Sequence, residues 1–151
     1  MHFVTTPLER LRSRTDIALF ADCTARELRR IDGLATTVTV KAGRVLFRPG
    51  DVGRECFVLL DGEVDVATDH CHHRVGRGAL LGEIALLVPD GRRTATVTAL
   101  SDLVVLVFTR TEFTQLMTGV PSVAHKILHE ATRRLIENSE ACGEPGHLTA
   151  S

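Results

Sequence analysis

The sequence predicts a mainly β domain, a small barrel or jelly roll, with helices before and after it. Three observations support this fold class. Apolar residues recur at helical spacing near both ends, the middle of the chain consists of short β-rich runs, and glycines separate those runs. The runs are Thr37–Val40, Val45–Phe47, Cys56–Leu60, Glu63–Ala67, Thr94–Ala99 and Leu103–Phe108.

Length and composition limit the functions that the chain can have. Its 151 residues allow one domain with one sizeable core, and its 44% hydrophobic and 25% charged residues are typical of a globular protein. With six Phe and neither Trp nor Tyr, a single-stranded nucleic-acid binder that stacks bases on aromatic rings is disfavoured. The formal net charge of −1 likewise indicates no nucleic-acid or anionic membrane partner.

The expected location is cytoplasmic. The first residues contain no apolar core of signal-peptide length, and the longest apolar run, Leu103–Phe108, is far too short for a membrane span. The four cysteines show no CxxC spacing, which is typical of buried or incidental thiols in a reducing compartment.

The N-terminal elements are predicted to be helical. Apolar residues at helical spacing predict an extension over residues 1–16. Thr24 and Glu27 then have the spacing of a capping box, and Leu28 and Ile31 follow it, so that a second helix is expected to begin here.

The β-rich middle shows two kinds of strand. Val64 and Val66 alternate with Glu63 and Asp65, which indicates a strand with one buried face. The run Leu103–Phe108 has no polar alternation and is expected to be buried on both faces.

Helices return after residue 108. Thr109 and Glu112 form a second potential capping box, and Gly119-Val120-Pro121 breaks the chain. A last helix is predicted from about Ser122 to Asn138. The small, polar residues 141–151 are expected to form a disordered tail.

One segment carries the features of a nucleotide site. A short helix starting beside Gly82 would present free backbone N–H groups to an anion. Arg93, at the base of the next strand, has the planar fork that suits two phosphate oxygens. Glu83 could accept a hydrogen bond from a ribose hydroxyl. The alternative from these residues alone is a glycine turn carrying a weak surface Glu–Arg pair.

The segments Gly82-Glu83-Ile84-Ala85-Leu86 and Arg93-Thr94-Ala95-Thr96-Val97 together resemble the phosphate-binding cassette of the cyclic-nucleotide-binding domain family. That family includes catabolite-activator regulators, regulatory subunits of cyclic-nucleotide-dependent kinases and cyclic-nucleotide-gated channels. The resemblance extends upstream to the turns at Lys41-Ala42-Gly43, Arg48-Pro49-Gly50-Asp51 and Asp61-Gly62-Glu63. It covers roughly residues 17–138, and the binding domain is expected to span residues 17–140.

The resemblance implies a double-stranded β-helix (jelly-roll) barrel that binds a cyclic nucleotide. Position by position, it implies that Glu83 binds the ribose 2′-hydroxyl and Arg93 the cyclic phosphate. Backbone groups of Gly82, Ile84 and Ala85 would complete the phosphate site. The expected ligand is cyclic AMP, with cyclic GMP also possible, and no other cofactor and no metal are expected.

Two departures from the family pattern affect this assignment. Leu81 replaces the Phe that usually precedes Gly-Glu, and the loop before the arginine is one residue longer than the common spacing. Arg92 is therefore an alternative phosphate ligand, although the Thr-Ala-Thr-Val that follows favours Arg93. Thr94 can hydrogen-bond a guanine amino group in this family, but it also occurs in members that prefer cyclic AMP.

The final helix is expected to carry an apolar stripe that packs on the domain. Arg134 falls inside this stripe and Arg133 falls outside it. Arg134 is either an arginine that extends from a core helix to the surface or a residue that contacts the bound base, as in some family members. The stripe consists of Val123, Ala124, Ile127, Leu128, Ala131 and Leu135. The expected function is a regulatory sensor that repositions this helix and acts on an unidentified effector.

Two alternatives come from other classes of protein. A domain of the same fold could lack a ligand and serve only as a protein-interaction module, but retention of Glu83 and Arg93 disfavours this. His70-Cys71-His72-His73 suggests a cupin-like metal enzyme, but Gly76 and Arg77 occupy the positions where cupins place a Glu. A solvated hairpin tip is the preferred interpretation, and no catalytic motif is recognised.

Overall fold

The computed structural model describes residues 14–69 and 71–138. In these residues two four-stranded antiparallel sheets form, with strand orders β1-β8-β3-β6 and β2-β7-β4-β5. The strands are β1 (Thr36–Val40), β2 (Val45–Phe47), β3 (Glu55–Asp61), β4 (Val64–Ala67), β5 (His72–Val75), β6 (Leu80–Leu81), β7 (Thr96–Ala99) and β8 (Leu103–Thr109). This arrangement confirms the mainly β jelly-roll barrel with flanking helices.

The chain enters the barrel through a 3₁₀ turn, Ala18–Phe20, and helix α1, Ala25–Leu34. The capping box is confirmed: the backbone N–H of Glu27 donates to Thr24 Oγ1 over 3.1 Å, and the N–H of Thr24 donates to Glu27 Oε1 over 2.9 Å. The predicted extension over residues 1–16 lies almost entirely outside the described residues.

Three further helices follow in chain order. Helix α2, Ile84–Leu87, is a single turn between β6 and β7, and helices α3, Arg110–Gly119, and α4, Pro121–Asn138, follow β8. The second capping box, at Thr109, is also confirmed. Within the described ranges, no helix is both long and apolar enough to cross a membrane. The predicted tail, residues 141–151, lies beyond them.

The two sheets enclose one apolar core, and the helices cover a second. Phe47, Leu59 and Val97 belong to the core inside the barrel. Phe20, Ile31 and Ile127 belong to the core beneath the helices. Strand β8 contributes to both cores because its side chains alternate between them, which explains the lack of polar residues in Leu103–Phe108.

Two strands were not predicted from the sequence. Strand β5 begins with His72-His73-Arg74, which shows no apolar alternation, and strand β6 has only two residues. The predicted solvated hairpin tip is confirmed only in part: His72 is exposed, with its Nδ1 3.2 Å from Asp65 Oδ2, but His72 and His73 belong to strand β5 and His73 is half-buried. His70 lies outside the described residues.

The cysteines differ from the expectation. Cys23 and Cys56 have free thiols. Cys71, directly before β5, is disulfide-bonded, so the expectation of a thiol is wrong at this position, and Cys142 lies outside the described residues.

Candidate functional site

Gly82 forms the turn between strand β6 and helix α2. Its φ is +81°, in the left-handed region that favours glycine. A Cβ atom at this position would lie 2.3 Å from Arg93 Nη1 and 3.4 Å from the ring of Phe47. Gly82 is therefore required both by its backbone conformation and by the close approach of Arg93.

Arg93 is buried, with 5% of its surface exposed. Its Nη1 donates to the carbonyl of Gly82 over 2.8 Å, its Nη2 donates to the carbonyl of Glu55, and its guanidinium lies 4.1 Å from the centre of the Phe47 ring. Burial lowers the pKa of Arg93. Its buried Nε has no hydrogen-bond partner among the described residues.

Arg92 is placed differently from its neighbour. It is exposed, and its Nη1 donates to the carbonyl of Gly50 over 3.2 Å. Of the two candidates for the phosphate ligand, only Arg93 therefore lies against Gly82 in the interior.

Glu83 is completely buried, with 0% of its surface exposed. Its Oε1 accepts a hydrogen bond from Nη1 of Arg134, while its Oε2 has no hydrogen-bond partner in the described part of the chain. Burial raises the pKa of Glu83, and the neighbouring Arg134 guanidinium acts in the opposite direction. The carboxylate thus has one buried oxygen without a hydrogen bond from the described residues.

Helix α4 brings Arg134 to this carboxylate. Val123, Ile127 and Ala131 are 0–3% exposed, and Arg134, at 4%, continues their stripe. This confirms that Arg134 lies on the buried face. The structure pairs it with Glu83, a partner that the sequence analysis did not anticipate.

The predicted stripe is too wide, however. Leu128 and Leu135 are 50% and 55% exposed, so their inclusion is wrong. At about 100° per residue, the buried positions from Val123 to Ala131 span an arc of about 80°, and both leucines fall outside this arc.

Charged residues extend the contact along α4. Arg134 Nε lies 3.3 Å from Glu130 Oε1, and Arg133 pairs with both Glu130 and Glu137. The pKa of Glu130 is lowered overall: burial opposes the shift, but the hydrogen bond from Arg133 and the charge of Arg134 outweigh it. The ion pairs therefore connect the cassette carboxylate to the last turns of the helix.

The remaining predicted site residues lie in helix α2 or directly after Arg93. Ala85 is buried in helix α2, Ile84 is half-buried at its first position, and Thr94 is exposed beside Arg93. The first N–H groups of α2 have no acceptor one turn earlier in the helix, as at any helix start.

A cavity of about 870 Å³ opens beside α4, with Leu80, His129 and Arg134 in its wall.

Two site contacts were not predicted from the sequence. Phe47 supplies the ring beneath Arg93, and the carbonyl of Glu55 accepts a hydrogen bond from its guanidinium. Both come from distant strands, and neither residue type carries a sequence signal for such a role. Among the described residues, no group of three His, Cys, Asp or Glu side chains could hold a metal ion.

Fold and site together define a jelly-roll domain in which a glycine turn carries a buried arginine and a buried glutamate, and the glutamate pairs with an arginine of the C-terminal helix. A family model described as the cyclic nucleotide-binding domain matches residues 37–119, more than half of the chain. The chain therefore belongs to the cyclic nucleotide-binding domain family.

Relatives in several bacteria share this domain. The chain is 36% identical over 95 residues to a cyclic nucleotide-gated potassium channel of Rhizobium etli, a match that covers 63% of this chain and 26% of the channel. It is 31% identical over 101 residues to the cyclic AMP receptor protein of Thermus thermophilus, covering 63% of this chain and 46% of that protein. The chain thus spans between about a quarter and a half of these curated relatives.

Solved structures show the same fold. The catabolite activator protein of Thermus thermophilus superposes with a TM-score of 0.71 at 27% identity, covering 80% of this chain and 59% of that one. A structure from a cyclic-GMP-dependent signalling pathway that regulates bacterial phytopathogenesis superposes with a TM-score of 0.67 at 28% identity, covering 78% and 97%.

Proposed function

We propose that this domain binds a cyclic nucleotide monophosphate at the segment from Gly82 to Arg93 and acts as a regulatory sensor with no chemistry of its own. Family membership supports the class of ligand. The buried Glu83 carboxylate, with one oxygen paired to Arg134 and the other without a partner in the described residues, is the observation that carries the proposal.

A buried carboxylate oxygen that lacks a hydrogen bond needs a donor. Burying a polar atom without a hydrogen bond costs free energy, so such atoms are rare in folded proteins and indicate a missing partner. The 2′-hydroxyl of a ribose is a suitable donor to Glu83 Oε2. Oε1 would keep its bond to Arg134, so one carboxylate would hold the ligand and the helix at the same time.

The phosphate would lie between α2 and Arg93. The first N–H groups of α2 and the Nε–H of Arg93 would both donate to a cyclic phosphate, which is an anion that accepts from both. The low polarity around the buried Arg93 strengthens such a pair, because water competes less there. Backbone groups of Gly82, Ile84 and Ala85 would complete the site.

Cyclic AMP is the favoured ligand in this proposal, and cyclic GMP is expected to bind as well. One relative is a cyclic AMP receptor protein, and one structural neighbour belongs to a cyclic-GMP-dependent pathway. Thr94 is the residue that would distinguish the bases, and one neutral hydrogen bond contributes only about 0.5–1.5 kcal/mol. The two affinities should therefore lie within about tenfold of each other.

Helix α4 would report binding to an effector. The break at Gly119-Val120-Pro121 precedes it, and Arg134 joins it to the cassette. Because Glu83 would hold the ligand and Arg134 at the same time, binding would favour the position of α4 in which this pair is formed and would order the segment Pro121–Asn138. The effector, as a further domain or a separate protein, is not identified.

Calorimetric titration of the purified chain with cyclic AMP, cyclic GMP and AMP tests the function. We expect saturable binding of both cyclic nucleotides and much weaker binding of AMP, whose open phosphate carries more charge and does not fit a site built for a cyclic phosphate. Absence of binding to either cyclic nucleotide would leave the chain as a ligandless interaction module.

A further inference from the structure

Arg110 forms hydrogen bonds to the backbone of helix α2 from outside the cassette. It is the first residue of helix α3, outside the segment Gly82–Arg93. Its Nη2 donates to the carbonyls of Gly53, over 2.7 Å, and Ala85, over 3.0 Å, and its Nη1 lies 3.4 Å from the carbonyls of Leu86 and Val88. One guanidinium therefore contacts three carbonyls of α2 and its exit, together with one from the loop before β3.

Two glycines from other segments of the chain also pack against helix α2. A Cβ atom on Gly53 would lie 2.4 Å from Ala85 Cβ, and one on Gly91 would lie 2.1 Å from the carbonyl oxygen of Ala85. Gly53 and Gly91 are also joined by a hydrogen bond of 2.9 Å from the N–H of Gly53. Helix α2 thus has little freedom to shift while Arg110 holds its carbonyls.

We propose that Arg110 is a positioning residue for the phosphate site, which it supports without touching the ligand. This inference rests on the proposed function. A helix of one turn cannot stabilise itself, and its last carbonyls lack partners within the helix. Arg110 supplies those partners at the carbonyl end of α2 and so fixes the direction of the N–H groups at the other end.

An arginine suits this role better than a lysine. A guanidinium presents five N–H donors in a rigid plane, whereas an ammonium is a point charge on a flexible stem. The backbone N–H of Arg110 donates to the carbonyl of Arg54 over 3.0 Å, which anchors the residue to the start of β3. Arg110→Lys should therefore retain part of the contact, and Arg110→Ala none.

The test uses the full chain, cyclic AMP and its two phosphorothioate diastereomers, in which sulfur replaces one or the other exocyclic phosphate oxygen. In the proposed site the N–H groups of α2 and the guanidinium of Arg93 belong to different elements, so moving α2 alone should change the contact to one phosphate oxygen more than the contact to the other. We expect Arg110→Ala to weaken cyclic AMP binding by about tenfold and to change the ratio of the two diastereomer affinities by about threefold or more. Arg110→Lys should give intermediate changes.

Arg14→Ala is the structural control. Arg14 is also buried and pairs with Asp32 of α1, far from the cassette in sequence. A loss of stability alone lowers the affinity for every ligand by the same factor, so this control should leave the ratio unchanged. If the Lys and Ala variants of Arg110 weaken both diastereomers equally, the positioning role is refuted while the proposed function stands. If the unmodified chain binds no cyclic nucleotide, the proposed function fails, and this inference fails with it.

Discussion

Replacing Arg93 with alanine removes the buried cation beside Gly82. In the protein, this guanidinium donates to the carbonyls of Gly82 and Glu55 and lies over the ring of Phe47. Its neighbour Arg92 is exposed and makes a single 3.2 Å bond to the carbonyl of Gly50. The chain therefore offers two adjacent arginines of which only one is built into the interior.

The expected loss of binding follows from the loss of a buried charge pair. Truncating one partner of such a pair costs about 2–5 kcal/mol, which corresponds to a loss of affinity of about 30-fold or more. The unfolding free energy should fall less, by about 1–3 kcal/mol, because the lost bonds to carbonyls are partly offset by removing a charge that burial already disfavours. Arg92→Ala should change affinity by less than about threefold, as surface substitutions do.

Urea unfolding followed by calorimetric titration with cyclic AMP separates the two effects. The unfolding curve shows that the Arg93→Ala chain is folded at the titration temperature, and Arg92→Ala serves as the matched control. Arg93→Lys, which keeps the charge but loses the fork, should lie between the unmodified protein and the alanine variant. Equal losses for the two alanine variants, or a larger loss for Arg92, would refute the assignment of Arg93 to the phosphate.

Three further predictions concern the carboxylate, the helix and the base. Arg134→Ala should weaken binding by about 1–2 kcal/mol and raise hydrogen exchange in Pro121–Asn138, whereas Arg133→Ala should do neither; equal exchange in both variants would contradict the role of Arg134. Because burial raises the pKa of Glu83 above its ordinary value of 4.5, its contribution to the unfolding free energy is greatest below pH 4.5 and is lost as the pH rises through the raised pKa. Urea titrations should therefore show that the unmodified protein gains stability relative to Glu83→Gln as the pH falls. Ligand affinity should fall over the same pH range. A stability difference between the two proteins that does not change with pH would rule out a raised pKa of Glu83. Thr94→Val should lower cyclic GMP affinity by up to about tenfold and leave cyclic AMP binding almost unchanged, and a preference beyond about 100-fold in the unmodified chain would show that another residue selects the base.

Much of the fold could be predicted because its signals are local. Both capping boxes depend on two residues three positions apart, and both form as expected at Thr24 and Thr109. Strand β5 was missed because its residues His72-His73-Arg74 show no apolar alternation. The strand is defined by its pairing with β4, which leaves no periodic pattern in the sequence of β5. Strand β6 is too short to have a pattern, and it is defined only by pairing with β3.

The part of the candidate site that lies in one sequence motif could be predicted. The turn at Gly82, the buried Glu83 and the inward-facing Arg93 all lie in the segment that the sequence singled out. The contact between Glu83 and Arg134 joins residues 51 positions apart and depends on how α4 packs, which periodicity indicates only as a face. Arg110 could not be found from the sequence, because its partners are backbone carbonyls and any residue type supplies those.

The claim that Glu83 binds the ribose of a cyclic nucleotide is tested most directly by comparing cyclic AMP with 2′-deoxy cyclic AMP, in the unmodified chain and in Glu83→Ala. A hydrogen bond to a charged group contributes about 1.5–3 kcal/mol, so removing the hydroxyl should weaken binding about 10- to 100-fold in the unmodified chain. In Glu83→Ala the two ligands should bind within about threefold of each other, because neither can then form a hydrogen bond with the Glu83 carboxylate and the other effects of the substitution apply to both equally. If the hydroxyl contributes as much in Glu83→Ala as in the unmodified chain, Glu83 does not bind the hydroxyl, and the proposed ribose contact is refuted.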